Sequence, residues 1–387
     1  MGGHHANQFD FIIVGGGCIA ASTVYAIKKR WPDARVSWHT GVHVHTASND
    51  FLKIIRDAYP DNTMAEWANR AMQLWASDDL LSKYFHRTAW IQAIDKKTTK
   101  TMSKGEKDTA VTAKEMMEQV GSTIEPSLAV TEELYLNPNV GYADSDVAVQ
   151  AISDRAVELG VQRHRNNVTK LIIEAGKCVG VQVGDAVVRG KTTIVSTGAW
   201  TPEILEKSKI PVPPGFFQVT AVGVAVLELS ESEYNSLKSM PILVTKDGEV
   251  MLSKLHQVLK MTTTDTFRIA SPDDLSDEVD ITPNRKVLEK MLPQFRGREL
   301  KRFCCPDLIT PKQYPIIDRV DGISNLILAT GGSYHSYKFL TNIGDIVVLR
   351  ICGEESNDPL ERTIQARCRW ERSDDTTSVH PNIVPNL

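Results

Sequence analysis

The spacing of hydrophobic and polar positions changes twice within the first 40 residues of the chain. Residues 11–14 form a short, mostly β-branched apolar run that predicts a buried strand. Apolar residues then recur at helical spacing from Thr23 to Ile27, and Pro32 ends that helix. Residues 35–38 predict a second strand. The pattern therefore predicts a β-α-β unit at the start of the chain.

Alternating apolar and polar positions dominate residues 215–270, most clearly at 221–227 and 250–259, and predict an antiparallel sheet. Other strands are predicted at residues 90–94, 135–142, 168–173, 179–183, 186–188, 193–195 and 325–329. Helices are predicted over residues 53–59, 64–85, 100–125, 145–159 and 344–351, followed by a polar tail over 353–387 that wraps around the fold or is loose.

Three of the predicted strands run into glycine turns, at residues 15–17, at Gly198 and at 331–332. The first and last of these turns lie at opposite ends of the chain. The sequence therefore predicts an α/β (α+β) fold with a Rossmann-like nucleotide-binding domain assembled from both chain ends and an antiparallel-sheet substrate-binding domain. The expected bounds are 1–60, 145–215 and 300–387 for the first domain, and 61–144 and 216–299 for the second.

The first glycine turn has the sequence Gly-x-Gly-x-x-Ala, formed by Gly15, Gly17 and Ala20. Between a strand and a helix, this motif is a dinucleotide fingerprint, although a plain βα turn has the same elements. Gly15 allows the tight turn, Gly17 lets the backbone approach a pyrophosphate, and Ala20 keeps helix and strand close. The acidic residue expected after the second strand is missing, and Thr40 in its place offers the ribose a weaker hydrogen bond.

Composition excludes several classes of protein. The 387 residues suffice for two domains, and a net charge of -4 gives no indication of a nucleic-acid partner. No apolar run approaches the ~20 residues of a membrane span. The six cysteines lack metal-ligand spacing, so we expect no metal site, no structural disulfide and a reducing compartment. We expect an intracellular protein, cytoplasmic or peroxisomal, since residues 385–387 only faintly resemble a peroxisomal tripeptide.

Five motifs in order carry a family resemblance, at residues 15–17, 47–56, 196–200, 305–318 and 331–339. With them, nearly the whole chain resembles the D-amino-acid-oxidase-like flavoproteins, in the branch of monomeric sarcosine oxidase, saccharopine or pipecolate oxidase and fructosyl-amino-acid oxidase (amadoriase). The resemblance implies FAD as the cofactor, attached through Cys305 rather than Cys304. By the fingerprint and the resemblance together, the expected FAD-binding residues are Gly15, Gly17, Cys18, Ala20, Thr40, Ser48, Asn49, Lys53, Val168, Gly198, Trp200, Cys305, Gly332, Ser333, Tyr334, His335, Ser336, Tyr337 and Lys338.

The resemblance also implies roles for four basic residues. Lys260 matches a lysine that assists oxygen reduction at the flavin, although a strand lysine is more often solvated. Arg56 and Lys338 match two cations that hold a substrate carboxylate, as paired N–H donors can. Lys53 matches a basic, catalytic residue near the flavin, and a predicted helix places it one turn before Arg56. The alternative for both is a basic helix face paired with Asp50 or Asp57.

Two departures from the family pattern concern the substrate. Tyr334 and Ser336 stand where the last motif usually has glycines, so either the backbone there does not need glycine or Tyr334 reshapes the substrate pocket. Residues 262–264 are threonines, smaller and more polar than the aromatic or histidine residues that often follow the family lysine. We therefore expect a substrate different from sarcosine and from sugar adducts.

The function expected from the resemblance is flavin-dependent oxidation of the C–N bond of a secondary amine, an N-substituted amino acid, to an imine. Hydride passes to FAD, and O2 is reduced to H2O2. The expected partners are a small amine or amino-acid substrate and O2, with no nucleic acid and no membrane, and the protein is expected to be a monomer. Three alternatives stay open: a flavin dehydrogenase with another electron acceptor, a contiguous-domain NAD dehydrogenase, and a degenerate, non-catalytic flavin-binding homologue.

Overall fold

The structure of the protein is a computed structural model that describes residues 8–43, 45–95, 107–112, 114–115, 118, 132–370 and 383–384. Its strands are β1 Phe9–Val14, β2 Val36–His39, β3 Leu52–Ile55, β4 Phe85–Arg87, β5 Trp90–Asp95, β6 Thr109–Val111, β7 Glu132–Asn137, β8 Gly141–Asp144, β9 Gln162–His164, β10 Lys170–Glu174, β11 Lys177–Val183, β12 Ala186–Val195, β13 Gln218–Glu228, β14 Ile242–Thr245, β15 Gly248–Ser253, β16 Val258–Thr263, β17 Thr266–Arg268, β18 Lys301–Ile309, β19 Ile316–Arg319, β20 Leu326–Thr330 and β21 Ile383–Val384. The α-helices are α1 Cys18–Arg30, α2 Asn62–Ser77, α3 Ser145–Glu158, α4 Thr201–Lys207, α5 Glu231–Leu237, α6 Thr282–Met291, α7 Ile343–Cys352 and α8 Pro359–Arg367.

Strand β1 lies inside a parallel sheet with the order β20-β12-β1-β2-β9. β19 pairs antiparallel with β20, and the first half of β12 forms an antiparallel meander with β10 and β11. The parallel sheet thus combines strands from residues 9–39, 162–195 and 316–330. Its assembly from distant segments, together with the antiparallel sheet described below, confirms the predicted fold class.

Strand β1 is buried on both faces, which explains its unbroken apolar run. Ile13 packs with helices α1, α3 and α7 in one core, whereas Ile12 and Val14 pack in a second core on the opposite face. Helix α1 is covered so thoroughly that ten of its thirteen residues are buried. The fingerprint turn is therefore held between two packed layers.

The second sheet has ten strands, in the order β21-β17-β13-β16-β15-β14-β5-β7-β6, with β18 paired to β13. One face packs on helices α5 and α6 through a core that includes Leu227, Val250 and Leu288. The other face carries Trp90 and Met251 and packs on the small antiparallel sheet β3-β8-β4. The antiparallel prediction for 215–270 is confirmed for β13 to β17, but helix α5 at residues 231–237 interrupts it, and 250–259 spans a turn between β15 and β16.

The predicted helix over residues 53–59 is wrong. Residues 52–55 are strand β3, in which Lys53 pairs with Ala143 and Ile55 with Gly141 of β8. The β-branched pair of residues 54 and 55 favours this extended form once a partner strand is available. Lys53 and Arg56 are therefore not one helical turn apart, and their relation depends on the strand and on the bend after it.

Three other helix predictions need correction. Helix α2 ends at Ser77, before residue 85, where the Asp78 carboxylate accepts hydrogen bonds from the next backbone N–H groups. Within the predicted 100–125 helix, Thr109–Val111 is strand β6, and most of the remaining residues lie outside those described. The predicted tail contains helix α8, capped by the Asp358 side chain, and beyond residue 370 only 383–384 are described.

In the described residues, we find no helix both long and apolar enough to cross a membrane. The domain bounds given above remain a prediction.

Candidate active site

The turn after β1 brings the carboxyl ends of β1 and β12 into contact. Gly15 has a φ of +120°, and a Cβ there would lie 2.1 Å from the Ser196 carbonyl oxygen. A Cβ on Gly17 would lie 2.9 Å from the Ser48 Oγ, which accepts a hydrogen bond from the Cys18 N–H at 3.0 Å. Gly15 is thus required by its φ and by the close approach of backbone, whereas a side chain at Gly17 would collide with the Ser48 hydroxyl.

A groove of about 730 Å³ opens at these strand ends, within the range of about 300–1,000 Å³ typical of cofactor sites. Eight of the predicted FAD-binding residues line it: Gly15, Gly17, Thr40, Ser48, Asn49, Val168, Gly198 and Trp200. The remaining predicted residues lie outside its lining: Cys18, Ala20, Lys53, Cys305, Gly332, Ser333, Tyr334, His335, Ser336, Tyr337 and Lys338. Since Pro306 and Asp307 do line it, the groove leads toward Cys305.

The chemistry of the groove fits a dinucleotide. The N-terminus of α1 and the side chains of Arg163 and Arg165 supply positive charge for phosphates, whereas Lys207 pairs with Glu203 of the same groove. The Ser196 Oγ is buried and, among the described residues, without a hydrogen-bond partner. A bound polar group could satisfy it.

The position after β2 lacks the usual carboxylate. His39, the last residue of β2, is buried; its Nδ1 lies 2.8 Å from the Asn166 Oδ1, and its ring stacks on His164 at 5.1 Å. Burial lowers the pKa of His39, which favours a neutral ring. The Thr40 hydroxyl lines the groove and donates to the His164 carbonyl at 3.3 Å. The Thr40 hydroxyl can therefore only accept a hydrogen bond from a ribose.

Beyond the groove, Lys260 projects from β16 on the face of the ten-stranded sheet that also carries Met251. Its side chain is 2% exposed, and its Nζ donates to the Asp50 Oδ2 at 2.5 Å and to the Leu52 carbonyl at 2.8 Å. Lys260 is therefore a buried, paired cation and not a solvated strand lysine.

Lys53 shares the same carboxylate, with its Nζ 2.7 Å from the Asp50 Oδ2. Burial opposes ionisation of Asp50, but the two ammonium groups prevail and lower the pKa of Asp50. Burial likewise opposes the charge on Lys53, and the Asp50 carboxylate raises the pKa of Lys53 above its usual range. The alternative of a basic face pairing with Asp50 is thus partly right for Lys53, but the Asp50 carboxylate is buried and Lys53 is only partly exposed.

Cys305 and Cys304 point to opposite sides of β18, because successive residues of a strand alternate. Cys305 lies on the same face as Lys260 and packs with Val222, Val224 and Tyr334. Its Sγ is 3.9 Å from the Lys53 Nζ. Burial raises the pKa of the Cys305 thiol, and the Lys53 ammonium opposes that rise.

Arg56 and Lys338 meet around the ring of Tyr59. The Arg56 Cζ lies 4.2 Å and the Lys338 Nζ 5.4 Å from the centre of that ring. Burial and the nearby Arg56 guanidinium lower the pKa of Lys338 well below its usual value. Neither cation is paired with a carboxylate in the described chain, so the cluster suits an anionic ligand.

The turn that joins β20 to residues 336–341 explains the missing glycines. Ser336 begins a short helical turn and needs no glycine, whereas Tyr334 adopts a left-handed φ of +60° that glycine usually supplies. The Tyr334 N–H donates to the Asp307 Oδ2 at 2.6 Å, and its hydroxyl lies 2.9 Å from the Thr220 Oγ1. These contacts offset a backbone cost of about 1–2 kcal/mol. Tyr334 thus keeps the glycine-like turn without a glycine, and its side chain packs beside Cys305.

Other predicted residues of this segment form contacts that fix the turn before Lys338. The Tyr337 hydroxyl donates to the Ser145 carbonyl at 2.8 Å, and the His335 Nε2 lies 3.0 Å from the Gln313 Oε1. The Ser333 hydroxyl lies 3.0 Å from that of Thr310, and a Cβ on Gly332 would lie 2.7 Å from the Asp307 Oδ1. These residues fix the turn, and Lys338 at its end reaches the cation cluster.

Sequence reasoning missed three residues of this region, Tyr59, Asp307 and Glu249, and it did not predict that Lys53 and Lys260 share Asp50. Asp50 lies three residues before Lys53 in the motif at residues 47–56, which indicates the pairing with Lys53 but not the one with Lys260. Glu249 gives no such signal, because its strand reads as an ordinary alternating segment.

Comparisons with known proteins agree with this geometry. Residues 10–350 match the family model DAO, described as FAD dependent oxidoreductase. The L-saccharopine oxidase of Schizosaccharomyces pombe is 24% identical, over 97% of this chain and 96% of that protein. The monomeric sarcosine oxidase of Bacillus sp. strain NS-129 is 23% identical, over 91% of this chain and 95% of that protein.

Solved structures show the same fold. Amadoriase II, a fructosamine oxidase from Aspergillus fumigatus, aligns with a TM-score of 0.82 and 18% identity, over 98% of this chain and 96% of that one. Fructosyl peptide oxidase from E. terrenum aligns with a TM-score of 0.82 and 19% identity, over 97% of this chain and 95% of that one. At these identities the likeness concerns the fold alone.

Proposed function

The chain belongs to the family of FAD dependent oxidoreductases, and from this premise we propose that it oxidises the C–N bond of a secondary amine, an N-substituted amino acid, to an imine. The observation that carries the proposal is the pair of cations Arg56 and Lys338 beside the face that bears Lys260 and Cys305. A cation pair that lacks a carboxylate within the described chain suits the carboxylate of an amino acid. The names of the two curated relatives, oxidases of L-saccharopine and of sarcosine, point in the same direction.

The groove at the ends of β1 and β12 would hold the dinucleotide part of FAD against Gly15, Gly17 and Ser48. We propose that Cys305 holds the flavin through a thioether, in which the sulfur would replace one hydrogen of a flavin methyl group and the two electrons released would pass through the flavin to O2. Its side of β18, shared with Lys260, supports Cys305 over Cys304, and the Lys53 ammonium 3.9 Å away opposes the rise in the pKa of the thiol that burial causes. When bound, FAD supplies the hydride acceptor, and its two electrons return to O2 to give H2O2.

The residues of the chain orient the substrate and stabilise charge. Arg56 and Lys338 hold the carboxylate, which fixes the carbon beside nitrogen and reduces the entropy cost of reaction. The substrate amine must be neutral, because a protonated nitrogen has no lone pair to stabilise the developing imine. Lys260, held by Asp50 and the Leu52 carbonyl, places a fixed positive charge where reduced oxygen develops negative charge. We assign no side-chain base, and we propose that the enzyme acts as a monomer.

The experiment that tests the proposal is anaerobic mixing of the purified, flavin-containing protein with sarcosine, L-pipecolate, N-methyl-L-leucine and their methyl esters. We expect the oxidised flavin absorbance to disappear with at least one amino acid and far more slowly with its ester. Admission of oxygen should then restore the absorbance with one H2O2 per flavin. A flavin that no member of the panel reduces would overturn the proposal, and reoxidation without peroxide would favour a dehydrogenase.

A further inference from the structure

Strand register places a row of side chains across the site-facing side of the ten-stranded sheet. Glu249 on β15 pairs with Val244 on β14 and with Thr262 on β16. Val244 in turn pairs with Gln92 on β5, and Thr262 with Val224 on β13. Because directly paired residues share a face, these five side chains lie in one line. Lys260 occupies the adjacent row, opposite Met251, so the line borders the proposed reaction site.

The polar members of this row can each accept a hydrogen bond, and none receives one within the described residues. Gln92 is 3% exposed, and its Oε1 is buried without a hydrogen-bond partner in the part of the chain that the structure describes. Among the same residues, the Thr262 Oγ1 is also buried without a hydrogen-bond partner. For Glu249, no ion pair or side-chain hydrogen bond occurs within the described residues, although Lys260, Lys53 and Arg56 lie close enough to affect its pKa. A buried acceptor that lacks a donor is costly, so the row calls for a group rich in N–H donors.

We propose that this row, with Glu249 as its anionic centre, binds a cationic nitrogen at the far end of the substrate. The substrate would then be an N-substituted amino acid with a second, basic nitrogen, such as an ammonium or guanidinium group. This inference rests on the proposed function, since Arg56 and Lys338 provide the anchor for the carboxylate at the other end. Burial raises the pKa of Glu249, and a bound cation would stabilise its charged form.

The discriminating experiment measures binding and requires no turnover. Calorimetry on the flavin-containing enzyme compares 4-aminobutanoate, 6-aminohexanoate and 8-aminooctanoate with butanoate, hexanoate and octanoate. The series covers different distances between the carboxylate and the ammonium. We expect at least one amino acid to bind about tenfold or more tightly than the alkanoate of equal length, as charge-assisted hydrogen bonds allow.

Glu249→Gln keeps the shape of the side chain and should abolish this preference, with alkanoate affinity changed less than about threefold. Thr262→Val should reduce the preference in part, and Glu206→Gln, at an exposed site on helix α4, should leave it unchanged. Flavin content and thermal unfolding of each variant verify that it folds. If no amino acid binds more tightly than its alkanoate, Glu249 only balances the charge of the neighbouring cations, and the inference is wrong.

A kinetic comparison separates this inference from the proposed function. Nα-methyl-L-lysine and Nα-methyl-L-norleucine share the secondary amine and the carboxylate, and only the former has a terminal ammonium. A kcat/KM at least about tenfold higher for the lysine derivative, lost in Glu249→Gln, supports the inference. Equal values for the two would contradict the inference and leave the proposed oxidation intact, whereas failure of both to reduce the flavin would count against the oxidation itself.

Discussion

The Asp50 carboxylate and the Lys260 ammonium, 210 positions apart in the chain, are joined by a hydrogen bond of 2.5 Å between Lys260 Nζ and Asp50 Oδ2. Neither side chain is more than 3% exposed. The Lys53 ammonium contacts the same oxygen at 2.7 Å. One buried carboxylate therefore joins the segment around β3 to the antiparallel sheet, at the place where both predicted catalytic lysines lie.

Replacing Asp50 by Asn should lower the free energy of unfolding at pH 7 by about 3–5 kcal/mol, because the buried Lys260 ammonium and the partly buried Lys53 ammonium lose their counter-ion. The folded-state pKa of Asp50 is below its ordinary value. The contribution of the ionised Asp50 to the free energy of unfolding is therefore complete above about pH 4. It is lost as the pH falls through the lowered pKa of Asp50. Guanidinium unfolding at decreasing pH measures both effects, and the variant should show a shallower acid loss.

The exposed Asp185, replaced by Asn, is the matched control and should change stability by less than about 0.5 kcal/mol. An Asp50→Asn protein as stable as the control would show that the shared carboxylate contributes nothing to the fold.

Lys260→Met should slow flavin reoxidation by O2 on the order of 10²-fold, because a fixed charge that stabilises reduced oxygen is removed. Flavin reduction by substrate should change much less. Stopped-flow absorbance measures the two half-reactions separately, with Lys170→Met, an exposed strand lysine, as the control. Equal losses in both half-reactions would remove the assigned role of Lys260 in oxygen reduction.

Carboxylate binding should weaken as the pH rises through the lowered pKa of Lys338. Burial and the Arg56 guanidinium lower that pKa, so Lys338 loses its charge at a lower pH than an ordinary lysine. The dissociation constant of hexanoate, which has no titrating amine, measures this directly between pH 6 and 10. Lys338→Arg should bind hexanoate with much less pH dependence, because arginine stays protonated.

An unchanged pH dependence in Lys338→Arg would assign the titration to another group. If Arg56→Ala retains the flavin but no longer binds hexanoate, the result would support carboxylate binding by Arg56 and Lys338.

Cys305→Ser should abolish covalent flavin, whereas Cys304→Ser should retain it. The two thiols point to opposite sides of β18, and only Cys305 lies near Lys53. Acid precipitation of the purified proteins followed by mass analysis of the peptide with residues 304–305 decides between them. Flavin that is released into the supernatant from the unmodified enzyme would show that the cofactor is not covalently attached.

The local pattern of apolar and polar residues was sufficient to predict much of the parallel sheet. The β-branched run at 11–14, the glycine turn and the helix up to Arg30 appear in the structure as β1, its turn and α1. Each of these elements is defined by neighbours in sequence, and each agrees with its own propensity. The motifs at 196–200 and 331–339 were likewise visible, since each follows a strand directly.

Local pattern failed where a distant partner decides the conformation. Residues 53–59 are predicted as a helix from their local pattern, but pairing with β8 makes 52–55 a strand. The pairing of β3 with β8 and the bend after Ile55 determine the directions of the Lys53 and Arg56 side chains.

By itself the sequence determined the class of fold, the cofactor family and the set of basic residues to be examined, because these depend on short motifs and on strand and helix periodicity. Tertiary structure alone decided which of those residues meet. Asp50 binds both Lys53 and Lys260, Cys305 and not Cys304 faces them, and Glu249 joins a polar row. The physical reason is that side chains on a sheet share a face only through strand register, which depends on pairings between residues far apart in the chain.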